Sequence, residues 1–237
     1  MPRLSAHSAI TALADADSFV TWDDAVRGVS DDSSAYVEDL NAAQSASGCD
    51  ESVITGRIAV GGVPCAVIAW EFAFLGGSVG VGTARRITAG IRRATAEGLP
   101  LLAIPRSGGT RMQEGAPAFV QMIAIAGALA QHRRAGLPYL VHLCGPTTGG
   151  VLATLGSAGD LTTAEPEAMV GFLGPRAFQA ITGRSFPEGI QTAENLRSRG
   201  ILDAVVTWPQ LRARWATVLS VWADRPQRSA ADQGGAT

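Results

Sequence analysis

Two stretches of the chain place a glycine pair where the apolar run of a strand ends. The first is Ser107-Gly108-Gly109-Thr110-Arg111, after the run at residues 101–105; the second is Thr147-Thr148-Gly149-Gly150, after residues 138–143. Helical spacing follows both, with Phe119, Met122, Ile123, Ala126 and Leu129 on one face after the first pair and an apolar run from Val151 after the second. The first N–H groups of a helix have no partner inside it and carry partial positive charge. Glycine lets a ligand approach them closely, so two such turns at the carboxyl ends of strands in one sheet can hold developing oxyanions. That is the chemistry an enolate needs.

Other chemistries fit less well. A third glycine-rich stretch, Phe74-Leu75-Gly76-Gly77-Ser78-Val79-Gly80, precedes the two pairs, but no lysine follows any of these glycines, which excludes a Walker-type phosphate loop. Residues 77–82 have the wrong spacing for a dinucleotide fingerprint and lack its acidic residue. Ser78 and Ser107 sit in glycine-rich loops, yet His7, His132 and His142 read as terminal, helical and strand residues, which leaves no nucleophile–base pair. Arg111 and Glu114 are spaced to form an ion pair that shapes the turn. Arg85, Arg86, Arg92 and Arg93 either meet nucleotide phosphates or line a solvated helix face. The loops therefore offer amide donors and no evident proton acceptor.

The elements that must position these loops make an α/β chain. Its 237 residues, 46% of them hydrophobic, suffice for one sizeable core. Residues 52–60 and 64–70 read as a hairpin turning at Gly61-Gly62. A helix follows with Ile87, Ile91 and Ala94 inward and the four arginines facing elsewhere. Gly-Leu-Pro at 98–100 and again at 136–138 ends one helix and opens the next strand. Later come two short strands within 160–172, a helix opened by Gly174-Pro175-Arg176, a helix at 191–200 capped by Thr192 and a strand at 201–206. The organisation expected is a helical extension over 1–50, with a turn at 30–34, then a domain over 51–208. A core-facing helix over 209–224 carries Leu211, Trp215, Val218, Leu219 and Trp222, and a disordered tail covers 225–237.

Composition narrows the partners. Nineteen basic residues against twenty-one acidic ones, a net charge of −2, give no electrostatic reason to bind nucleic acid. No uncharged run is long enough to span a bilayer and the first residues do not read as a signal peptide, so the expectation is a cytoplasmic chain without a membrane partner. Cys49, Cys65 and Cys144 are odd in number and contain no C-x-x-C, which points to reduced thiols, with neither a disulfide framework nor a metal site.

Taken in order, residues 74–80, 107–115, 136–139, 146–151, 164–166, 171–176 and 191–196 resemble the carboxyltransferase β-subunit of acetyl-CoA carboxylase and the β-halves of fused acyl-CoA carboxylases. The resemblance runs from about residue 51 to residue 206. It implies a crotonase-like spiral of ββα units, an acyl-CoA substrate, and biotin, as carboxybiotin on a separate carboxyl carrier protein, as the donor. In that chemistry carboxybiotin releases CO2, the ureido nitrogen takes the α-proton of the thioester, and the resulting enolate attacks CO2 to give malonyl-CoA from acetyl-CoA. Carried over by motif, Gly108, Gly109, Gly149 and Gly150 supply the oxyanion N–H groups. Phe74, Gly76, Gly77, Ser78, Ser107, Arg111, Thr148 and Gly174 line the acyl-CoA site. The family's bacterial β-subunit usually bears a four-cysteine zinc ribbon that these residues do not contain. The complementary α-half is not here either, so the resemblance implies an α-type partner in an α2β2 assembly. The alternatives are a biotin-independent malonyl-thioester decarboxylase subunit and a non-catalytic acyl-CoA-binding subunit.

Overall fold

The computed structural model describes residues 4–24 and 34–225. The helix α1 (Ala6–Leu13) and strand β1 (Val20–Thr21) lead, after the gap, to α2 (Ser34–Ser47). The expected turn at 30–34 falls outside the described residues except for Ser34, and so does all but Arg225 of the tail. The hairpin forms as the sequence indicates: β2 (Val53–Val60) and β3 (Val63–Trp70) pair antiparallel with Val60 opposite Val63, which leaves Gly61 and Gly62 as the loop.

From β3 onward the chain winds as repeated strand–helix units. α3 (Val81–Ala96) leads to β4 (Leu101–Ile104), α4 (Gly115–Arg134) to β5 (Tyr139–Leu143), and the short β6 (Thr147–Thr148) and α5 (Gly149–Thr154) to β7 (Leu161–Ala164). After β8 (Val170–Gly171) come α6 (Pro175–Thr182), α7 (Ala193–Ser198), β9 (Ala204–Val205) and α8 (Trp208–Ala223). The main sheet has the order β1-β2-β3-β4-β5-β7-β9, parallel from β3 onward, and β6 pairs parallel with β8 in a small second sheet. β1 lies antiparallel on β2 and so adds a strand to the edge of the sheet, in a stretch whose sequence reads only as helix.

Alternation along the strands sorts side chains into two layers. Ala66, Ile68, Leu101, Ala103, Tyr139 and Val141 face α3 and α4, packing on Ile87, Ile91, Met122 and Ile125. Val67, Ala69, Leu102, Ile104 and Leu140 face α1 and α8, packing on Ile10, Leu13, Leu211, Trp215 and Leu219. Of the stripe expected on α8, Leu211, Trp215 and Leu219 are buried in this layer, Val218 packs at its edge and Trp222 is half-buried outside it.

Two helix faces differ from expectation. On α4 the buried stripe is Ala118, Met122, Ile125, Ala128, Leu129 and His132. Phe119 and Ile123 point outward, 65% and 74% exposed, with Met112 at 90% and Val120 at 55% beside them. On α3, Arg86 is buried, not solvated: it donates to both Asp50 oxygens at 2.9 and 2.8 Å and to the Val53 carbonyl at 3.1 Å. Arg93 stacks on the Trp22 ring at 4.6 Å. Neither guanidinium is placed as a free phosphate ligand.

Candidate functional site: open amides at the carboxyl ends of the strands

Beyond β4 and β5 the two glycine stretches run side by side. Ser107 N–H donates to the Pro146 carbonyl at 2.7 Å and Thr148 N–H to the Ser107 carbonyl at 2.9 Å, so residues 107 and 147 form a parallel bridge. The stretches meet so closely that a side chain at Gly109 would lie 3.7 Å from the Thr148 carbonyl oxygen.

At the second stretch the helix begins as expected. Gly149 and Gly150 open α5; the parallel pairing of β6 with β8 engages the Gly149 N–H with the Gly171 carbonyl, and among the described residues the Gly150 N–H has no acceptor. With six residues α5 adds little dipole, so this donor matters here as an oriented N–H bond more than as a charged helix end.

The first stretch departs from the expectation. Residues 108–109 do not begin a helix; α4 starts only at Gly115, after a turn at Met112–Glu114. The reason lies in Thr110, which stays extended as the bridge partner of Val79: Val79 N–H donates to the Gly109 carbonyl and Arg111 N–H to the Val79 carbonyl, both at 2.9 Å. Gly108 N–H donates to the Gly76 carbonyl at 3.0 Å and Gly109 N–H to Ser107 Oγ at 3.0 Å. Neither glycine offers a free donor, which corrects the reading of Gly108 and Gly109 as oxyanion ligands. The N–H left without an acceptor among the described residues is that of Thr110, whose methyl lies 3.5 Å from where a Gly150 side chain would begin. Sequence reasoning missed Thr110 because it looked for glycine; the usable signal was the alternation of a bridged strand, in which every second peptide points away from its partner.

The other residues expected to line a substrate site divide in two. Gly76, Ser78 and Gly174 are half-buried in the loops, and Gly108 is exposed. Thr148 keeps 6% exposure, its hydroxyl 3.4 Å from the Ser107 carbonyl. Phe74, Ser107 and Arg111 are buried at 1%, 0% and 1% exposure and cannot touch a ligand here. Phe74 lies under the Arg111 guanidinium at 5.4 Å, and Ser107 holds the Gly109 amide. Gly77 is buried as well, and its role is one of space: a Cβ there would collide with the Arg106 carbonyl oxygen. The Arg111–Glu114 pair exists at 3.3 Å, but the main partner of Arg111 is Glu51, with both nitrogens at 2.7 Å.

The proton-transfer groups sit elsewhere. His132 is buried at the far end of α4, between Thr95 Oγ1 at 3.0 Å and the Pro138 carbonyl at 3.3 Å. His142 faces the α8 layer, 5.2 Å from the Trp208 ring; burial and then the nearby Arg106 hold its pKa down at about 3. Its Nδ1 meets Thr163 Oγ1 at 2.9 Å, and that hydroxyl donates onward to the Val141 carbonyl. His142, Cys144 and Glu165 bring ligand atoms within 4.8 Å of one another, but Arg106 Nη2 donates to both Glu165 oxygens at 2.8 and 2.9 Å, so a guanidinium stands where a cation would need room. All three cysteines are free and buried. No helix among the described residues is long and apolar enough to cross a membrane.

Residues 2–209 match the model of a family described as a carboxyl transferase domain. The chain belongs to that family. Over 233 residues this carboxyl transferase domain is 53% identical to a probable biotin-dependent acyl-coenzyme A carboxylase beta3 subunit of Mycobacterium tuberculosis, covering 98% of this chain and 47% of that one. It thus spans about half the length of that relative. It is 39% identical over 223 residues to an acetyl-coenzyme A carboxylase carboxyl transferase subunit beta of Synechococcus, covering 92% of this chain and 76% of that one. Among solved structures, a single-chain, multi-domain long-chain acyl-CoA carboxylase is similar with a TM-score of 0.78 at 22% identity, over 95% of this chain and 23% of that one. A Pseudomonas malonate decarboxylase hetero-dimer is similar with a TM-score of 0.71 at 24% identity, over 97% and 92%. The crotonase-like fold expected from the sequence is the fold observed.

Proposed function

We propose that the chain is the β-type half of a biotin-dependent acyl-CoA carboxyltransferase and that it binds the thioester of an acyl-CoA at the open amides. The observation that carries this reading is the pair of N–H groups at Thr110 and Gly150, which have no acceptor among the described residues, with the Thr110 methyl 3.5 Å from where a Gly150 side chain would begin. Such donors favour an oxygen that gains charge during reaction over a neutral carbonyl, which is how a site speeds an enolate-forming step. Gly150 keeps that space open, and Gly76, Ser78 and Gly174, with the small exposed part of Thr148, are left to line the approach. Carboxybiotin, when delivered by a carrier protein, supplies the carboxyl group and the base. The chain's own residues hold the thioester oxygen and leave the α-carbon facing the donor.

A partner enters from the same geometry. Met122, which borders Gly150, sits on the inner side of α4, while Phe119, Val120 and Ile123 on its outer side stand exposed. An apolar helix face beside a half-built site suits a complementary carboxyltransferase half seated there. The α2β2 arrangement and the choice of acetyl-CoA as substrate belong to this proposal.

Malonyl-CoA and free biotin, offered to the chain with and without a co-purified α-type partner, provide the test. Biotin-dependent decarboxylation that requires the partner is the expected result. Biotin-independent CO2 release assigns the chain to the decarboxylases instead. Acyl-CoA binding without turnover under either condition leaves it a binding subunit.

A further inference from the structure

Arg111 follows the open Thr110 amide directly, and its side chain folds back beneath the same segment. Besides the two 2.7 Å bonds to Glu51, Nη2 donates to the Ser78 carbonyl at 3.0 Å and to Thr83 Oγ1 at 3.1 Å. Nη1 reaches Glu114 at 3.3 Å and Tyr36 Oη at 3.1 Å. Glu114 in turn accepts the Tyr36 hydroxyl at 2.5 Å on one oxygen and the Val81 N–H, at the start of α3, at 2.5 Å on the other. A single guanidinium is therefore bonded to the start of β2, the glycine-rich loop before α3, α3 itself, the start of α4 and, through Tyr36, α2.

We propose that Arg111 is a positioning residue: held by Glu51 and Glu114 it fixes the direction of the Thr110 N–H, and Tyr36 makes α2 part of that support. Its catalytic consequence rests on the carboxyltransferase reading above. The geometry is specific to arginine. The two parallel bonds to Glu51 use the planar fork, and the remaining N–H bonds fan out to the loop and helix carbonyls and hydroxyls; an ammonium can keep the charge but not that spread. Two carboxylates surround one guanidinium in a buried site, so its loss leaves uncompensated charge directly behind the peptide that must not move. A displacement of about 1 Å at a reacting centre is enough to cost about 100-fold in rate.

The test uses Arg111→Lys and Tyr36→Phe in the chain assembled with its α-type partner, assayed with malonyl-CoA and biotin, alongside amide hydrogen exchange on the chain itself. For Arg111→Lys, kcat should fall about 100-fold while KM for malonyl-CoA stays within about threefold. Exchange should quicken in residues 75–81 and 108–114 and stay unchanged in β4 and β5. Tyr36→Phe, a milder change that removes only a hydroxyl, should lower kcat by about three- to tenfold with quickened exchange in the same two segments. A raised KM with unchanged kcat would return Arg111 to direct substrate contact and overturn the proposal. Unchanged exchange in both segments would overturn it too, as would a general rise that includes β4 and β5. If the wild-type assembly shows no biotin-dependent turnover, the carboxyltransferase reading fails on its own, and the exchange results still decide whether Arg111 steadies Thr110.

Discussion

The two glycine pairs look alike in sequence and do different work. At Gly149–Gly150 the chain turns straight into a helix, and the Gly150 N–H is left without an acceptor among the described residues. At Gly108–Gly109 the chain stays extended against Val79, and both glycine amides are bonded, one to the Gly76 carbonyl and one to Ser107 Oγ. The glycines of the first pair serve close approach and an unusual dihedral, with Gly109 at φ +116°. The difference lies in the segment after each pair: the start of a helix leaves the Gly150 amide open, whereas a bridged strand frees alternate amides, here that of Thr110.

The largest expected effect tests the open turn. Gly150→Val should lower turnover by at least about 1,000-fold with the fold retained. A Cβ at this position lies 3.5 Å from Thr110 and 3.6 Å from Met122, so the branches beyond it enter the space of the thioester oxygen. Near wild-type turnover of that variant, checked beside its circular dichroism, would remove the open amides from the mechanism.

Exchanging single amides for esters, by incorporating α-hydroxy acids, separates the two turns more finely. An ester at position 110 should reduce kcat by about 100- to 1,000-fold with little change in melting temperature. At position 108 it should cost about 1 kcal/mol of stability, read from denaturant midpoints, with kcat preserved, because only the bond to Gly76 is lost. The contrast within the first pair is one of stability alone. Gly109→Ala forces a side chain into the positive-φ region and should destabilise by about 1–3 kcal/mol. Gly108→Ala has only the Gly76 carbonyl oxygen, at 3.7 Å, near its Cβ and should change stability by less than about 0.5 kcal/mol.

Acid should loosen the first turn before the second. Burial pushes the Glu51 carboxyl up, but its bonds and attraction to Arg111, with those from Thr83 and Ser52, bring it net below the ordinary value of 4.5. Its contribution to stability is therefore complete above that value and lost as pH falls through the lower native pKa. Hydrogen exchange in residues 108–114, corrected for its intrinsic rate, should rise as pH falls below the ordinary carboxylate value, ahead of exchange in residues 147–151.

Much of the fold was legible because burial leaves a period. The apolar runs in residues 64–70 and 139–143 marked strands that the structure buries on both faces, and the spacing of Leu211, Trp215 and Leu219 marked the buried face of a helix. The α4 pattern misled because nearly every turn of that helix is apolar: Phe119 and Ile123 satisfy a 3.6-residue period as well as Met122 and Ile125 do, and only the second set faces the sheet. Of the site, the glycines at 149–150 could be placed from a strand-to-helix junction, a local property. The engagement of Gly108 by Gly76, the burial of Arg111 by Glu51 and the freedom of Thr110, bridged to Val79, depend on partners 31 to 60 residues away in the chain, which local spacing does not report.

The outer side of α4 has a practical corollary. Met112, Phe119, Val120 and Ile123 give this chain an adhesive stripe, so when it is produced on its own, self-association and poor yield should appear sooner than any catalytic defect. Co-expression that restores a monodisperse species would then identify the protein that belongs on that helix before any assay of its chemistry.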